Sequence, residues 1–148
     1  MAGIAKVLVV DDNVSLVRMV EGVLRRQDFD VITAYDGVEA LARARREHPD
    51  LIVLDIVMPR MDGYEVCRHL RSDPATAEIP VILLTVKGQV DDPNIDARTL
   101  NERITEQMQG FEVGAVEFIP KPVRAGDLLE RIRNHIWIDR LAAQRGAD

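Results

Sequence analysis

Along this chain, short runs of apolar and β-branched residues alternate with longer segments whose apolar positions recur every three or four residues. The first pattern suits strands buried on both faces, and the second suits helices that bury one stripe. Their alternation predicts an α/β architecture, a parallel sheet wound with crossover helices. Five strands are predicted, at residues 6–10, 30–34, 51–54, 81–84 and 116–119. The first, third and fourth are the most continuously apolar, so they belong in the middle of the sheet. Helices are predicted at residues 15–27, where Leu16, Val17, Val20, Val23 and Leu24 share a face, at 38–47 and at about 64–71. A last one starts near Ala125, with Leu128, Leu129, Ile132 and Ile136 along one side. The count is that of a (βα)5 doubly wound five-stranded sheet.

The fourth crossover is enlarged. Between Thr85 and Lys121 lie 35 residues, more than a helix of ~11 residues, a strand of ~5 and loops of ~2 to 6 require. The excess falls at about residues 87–96, where Gly88, Asp91, Asp92, Pro93 and Asn94 favour loop, ahead of a helix through Leu100, Ile104 and Met108. Asp92, Asn94 and Asp96 have the alternation of a calcium loop, but Ala97 replaces the glycine and Arg103 the glutamate it needs, so calcium is rejected. Beyond residue 136, Trp137, Ile138 and Leu141 are too apolar for one helix face. Residues 137–148 therefore read as a helical extension whose outer side meets a second copy or a following domain.

Composition narrows the function. The net charge of -6, with no dominant basic patch, argues against direct nucleic-acid binding, since a phosphate backbone is gripped by dense Lys and Arg. No stretch approaches the ~18 apolar residues of a membrane span, and Cys67 alone permits neither an internal disulfide nor a cysteine-based metal cluster. A cytoplasmic setting is expected. Mid-helix Cys67 reads as packing, and His48, His69 and His135 lack metal-ligand or nucleophile-base spacing.

In an open parallel sheet, ligands bind outside the carboxyl ends of the strands. Those ends carry Asp11 and Asp12 on the first strand, Asp55 on the third, Thr85 on the fourth and Lys121 after the fifth. Singly, each has a plain explanation: Asp12 or Asn13 as a helix cap, Asp55 as a turn residue, Lys121 as a surface cation. Together, three neighbouring carboxylates repel unless a cation neutralises them. An all-oxygen donor set selects a hard ion, for which Mg²⁺ is the natural choice. A carboxylate nucleophile beside that ion, with an ammonium and a hydroxyl in reach, suits phosphoryl transfer.

With Asp11-Asp12, the segment Asp55-Ile56-Val57-Met58-Pro59-Arg60-Met61-Asp62-Gly63, Thr85 and Lys121-Pro122 in that order, the chain resembles the receiver domains of two-component response regulators from about residue 4 to 136. The resemblance implies a flavodoxin-like strand order 2-1-3-4-5. It implies that Asp55 accepts a phosphoryl group from a sensor histidine kinase or phosphotransfer protein, and that Asp11, Asp12, Asp55 and the backbone carbonyl of Val57 hold Mg²⁺, Asp11 mainly through water. Lys121 would contact the phosphoryl oxygens, Thr85 would swing towards them, and Phe118 would be the aromatic switch that reshapes the fourth and fifth segments for an output protein or downstream domain. A homodimer through those segments or the C-terminal helix is a further candidate assembly. Such a domain is a signalling switch rather than an enzyme, with only self-phosphorylation and self-dephosphorylation chemistry.

Two departures bear on rate. Val86 stands where the family usually has Ala or Gly, and Val57 and Lys87 occupy positions that tune the approach of hydrolytic water. Two other readings compete: a Mg²⁺-dependent phosphatase with an aspartyl-phosphate intermediate, and an interaction module that needs no phosphate. No DNA-binding helix-turn-helix or second catalytic domain is expected within the 148 residues.

Overall fold

A computed structural model describes residues 4–85, 115, 117–120 and 123–146, and every structural statement below concerns these. It contains strands β1 (Lys6–Val10), β2 (Asp30–Ala34), β3 (Leu51–Asp55), β4 (Val81–Thr85) and β5 (Glu117–Pro120). Its described helices are α1 (Val14–Arg26), α2 (Gly37–Glu47), α3 (Gly63–Ser72) and α4 (Ala125–Gly146). All strand pairs are parallel, in the order β2-β1-β3-β4-β5. The three most apolar strands thus occupy the middle, because only there do both faces and both edges lose water.

Successive side chains on a strand point to opposite faces, so each central strand feeds two cores. Leu8, Val10, Ile52, Leu54, Val81 and Leu83 pack against Ala40 and Ala44 of α2 and against Tyr64, Val66, Cys67 and Leu70 of α3. On the opposite face Val7, Val9, Leu51, Val53, Ile82 and Leu84 meet Val17, Val20 and Leu24 of α1 and Leu128, Ile132 and Ile136 of α4. The chain after β1 therefore turns to one side of the sheet and the chain after β3 to the other. A crevice opens at such a reversal point, between the ends of β1 and β3.

Helix starts follow side-chain capping. Asn13 accepts from the Leu16 amide, Asp36 from that of Glu39 and Asp62 from that of Glu65, at 3.2, 2.8 and 2.9 Å. Each satisfies a donor the first helical turn leaves open. At the end of α2, His48 is left-handed with φ 49° and its N–H bonds back to Ala44, with Pro49 closing off further helix. β3 and β4 each run one residue beyond their predicted ends, and β5 lies one residue later, at Glu117–Pro120. The predicted insertion at 87–96 and the helix after it lie outside the described residues, as do Lys121 and Pro122.

Candidate phosphoacceptor and metal site

Register brings the site together. Val10 pairs with Leu54 across β1 and β3, so Asp11, the next residue, lies beside Asp55 at the last position of β3. Both are buried, Asp11 at 0% and Asp55 at 2% exposure, while Asp12 is exposed at the mouth. One carboxylate oxygen from each of Asp11, Asp12 and Asp55 can be chosen so that all three lie within 4.8 Å of one another.

Local folding assigns the roles within the acidic pair. The cap of α1 is Asn13, and Asp11 accepts the Asn13 amide at 2.9 Å. Asp12 is thus released from the capping role that would otherwise explain a polar residue there. A hard, oxygen-preferring divalent cation fits a donor set of three carboxylates without nitrogen or sulfur. The sequence prediction of Asp11, Asp12 and Asp55 as one cluster matches the geometry.

The segment after Asp55 is pinned at both ends. The Ile56 amide donates to the Leu84 carbonyl at 3.2 Å, and the Gly63 amide returns to the Ile56 carbonyl at 2.8 Å. Ile56 and Met58 are buried on either side of Val57, whose own side chain is 56% exposed. A tight turn lies between Pro59 and Met61, whose amide reaches the Pro59 carbonyl at 2.8 Å, with Arg60 left-handed at φ 71°. Gly63 seats the loop on the site: a Cβ there would stand 2.6 Å from the Asp55 carbonyl oxygen and 2.8 Å from Ile56 Cα. Sequence reading placed Gly63 in the motif without seeing this requirement, which depends on how closely the loop folds back.

Thr85 is the last residue of β4 and pairs with Pro120 at the end of β5, the position from which Lys121 follows. Phe118 is partly buried and packs against the core under α2 and α3. Cys67 is fully buried, and desolvation pushes its thiol up to about 12, which keeps it protonated at neutral pH and chemically quiet. His135 does not approach the acidic cluster's residues by any described bond and instead pairs with Glu117.

Comparison with known proteins gives the same picture. The profile of the response regulator receiver domain matches residues 7–96. The response regulator PleD of Caulobacter vibrioides is 42% identical over 130 residues, 88% of this chain and 26% of PleD. The DNA-binding dual master transcriptional regulator RpaA of Synechocystis is 36% identical over 128 residues, 86% of this chain and 47% of RpaA. This chain therefore spans about a quarter of one relative and under half of the other. Among solved structures, the chemotaxis protein CheY4 of Vibrio cholerae superimposes with a TM-score of 0.74 at 32% identity, covering 89% of this chain and 98% of CheY4.

Proposed function

Because this chain belongs to the response regulator receiver domain family, we propose that Asp55 accepts a phosphoryl group from a sensor histidine kinase or phosphotransfer protein and that the modified domain controls an output partner. The observation that carries this reading is the convergence of Asp11, Asp12 and Asp55 at the mouth between β1 and β3.

An Asp55 oxygen attacks phosphorus in line with the phosphohistidine bond. The new O–P bond forms as the P–N bond breaks, and the departing imidazole nitrogen keeps the electron pair and takes up a proton from water. Because imidazole leaves readily, the protein supplies position and charge more than acid-base help. Asp11, Asp12, Asp55 and the Val57 carbonyl would hold Mg²⁺, which supplies charge neutralisation to the phosphoryl oxygens. Asp55 stays aimed at the mouth because Ile56 is anchored to β4 and Gly63 lets the loop fold closely behind it. Lys121 would balance the remaining charge from the end of β5. Thr85 would move inward and admit Phe118, changing the surface of the fourth and fifth segments.

RpaA is DNA-binding by name, but this chain spans only 47% of it, and a net charge of -6 supports an indirect route to nucleic acid for these 148 residues. Among the described residues no helix is long and apolar enough to cross a membrane, which fits a cytoplasmic site of action. Receiver 4–136 with a helical extension at 137–148 remains the proposed division, and a second copy is the proposed partner for the outer side of that extension.

The test is phosphoryl incorporation from a small acyl phosphate, read by intact mass on wild type and Asp55→Asn with and without Mg²⁺. One adduct of about 80 Da that needs Mg²⁺ and is lost in the variant is expected. Steady turnover of external phosphomonoesters would favour a phosphatase instead. A folded protein showing neither adduct nor turnover would overturn the reading in favour of a phosphate-independent interaction module.

A further inference from the structure

β5 and α4 are joined by more than apolar packing. On β5, Phe118 faces the core under α2 and α3, whereas Ile119 faces the core that α1 and α4 cover. Glu117, two residues before Ile119, lies on the α4 side by strand alternation. One of its carboxylate oxygens pairs with Arg131, and the other meets His135 Nε2 at 2.6 Å. Arg131 and His135 are one helical turn apart, so a single carboxylate grips α4 at two successive points. The Glu117 side chain is only 16% exposed against 55% for Arg131. Losing both partners would leave a largely desolvated carboxylate uncompensated, which makes this contact stiffer than an exposed ion pair.

Ile132 and Ile136, both buried, fix the rest of this stretch of α4 to the sheet. Beyond Ile136 the same helix continues to Gly146, a further ~15 Å at the α-helical rise. Among the described strands β5, like β2, lies at an edge with a single neighbour, here β4, so its backbone can shift with less disruption of sheet pairing than that of a central strand.

We propose that Glu117 is the residue that transmits the state of the Asp55 site to the C-terminal helix. The inference rests on the reading that phosphorylation at Asp55 repacks Phe118. A change in the packing of Phe118 is borne by the β5 backbone, and Glu117, its direct neighbour, passes that displacement to α4 through Arg131 and His135. Glu117 is thus a positioning residue for the output, acting on the helix and not on the phosphoryl group.

Trp137 is the sole tryptophan of the chain, 65% exposed and two residues past His135. It reports on this helix directly. The full-length wild type and Glu117→Gln are phosphorylated with a small acyl phosphate and Mg²⁺, and occupancy is read by intact mass while Trp137 quenching by iodide is measured. Wild-type quenching is expected to change in proportion to occupancy, and the change in Glu117→Gln at equal occupancy to fall below about half of it. Hydrogen exchange in residues 131–146 is expected to quicken roughly tenfold in unphosphorylated Glu117→Gln, with β1 to β4 unaffected. The double variant Arg131→Gln, His135→Gln, cutting the contact from the helix side, is expected to behave alike. Equal quenching changes in wild type and variants, a fully phosphorylated wild type without any change, or unaltered exchange would each overturn the inference. Absence of the adduct in wild type would overturn the phosphorylation reading itself, and is seen by mass before any fluorescence is compared.

Discussion

At the scale of single residues, the site depends on what is missing as much as on what is present. Gly63 has no Cβ, and an added one would stand 2.6 Å from the Asp55 carbonyl oxygen. Backbone atoms on the preceding strand cannot yield as a flexible side chain would, so the loop itself must shift. Gly63→Ala is expected to lower stability by about 1 to 3 kcal/mol, the range for overpacked positions, and to slow phosphoryl incorporation at Asp55. Urea midpoints and initial rates by intact mass check both effects. An unchanged midpoint would mean that the close approach is relieved without cost. Asn13 makes the converse point: by capping α1 it leaves Asp12 available to the acidic cluster.

At the scale of elements, capping and ion pairs decide how firmly each piece is seated. The end of α2 is tied to the start of β1, where Lys6 Nζ lies 3.3 Å from a Glu47 carboxylate oxygen. That hydrogen bond, and next the charge of Lys6, hold the Glu47 carboxyl below its ordinary value of 4.5. A depressed folded-state value means the contribution is complete above the unfolded value and disappears as pH falls through the folded one. Wild type should therefore lose part of its stability on acidification from about pH 5 to pH 3, and Lys6→Met should lose less over the same window. Unfolding midpoints across that range test it, and identical acid sensitivity in both proteins would show that the pair contributes nothing.

At the scale of the whole molecule, the doubly wound sheet gathers like charge at one edge and accepts the cost. Two unit charges 4 Å apart repel by about 1 kcal/mol even in bulk water. In EDTA, Asp12→Asn is accordingly expected to be more stable than wild type by about that amount. With Mg²⁺ at tenfold its Kd, wild type gains about 1.4 kcal/mol by mass action, a rise in Tm of about 3 to 6 °C, and the variant gains less. Thermal unfolding of both proteins in EDTA and in Mg²⁺ measures the trade. Equal Mg²⁺ responses would remove Asp12 from the metal site.

Sequence alone determined the parallel sheet, its central strands and the identity of the acidic cluster. Those features follow from local signals: unbroken apolar runs such as Leu51–Asp55 up to its final aspartate, three-to-four spacing in α1, and carboxylates at strand ends. Boundaries slipped by a residue because hydrogen-bond pairing, not composition, ends a strand. Only the tertiary structure decided that Asn13 rather than Asp12 caps α1, that Gly63 lies against the Asp55 backbone, and that Glu117 grips Arg131 and His135. Each of these depends on contact across elements or on competition between adjacent residues for one partner. Periodicity records which side of an element is buried, but it carries no information about the distance at which two elements meet.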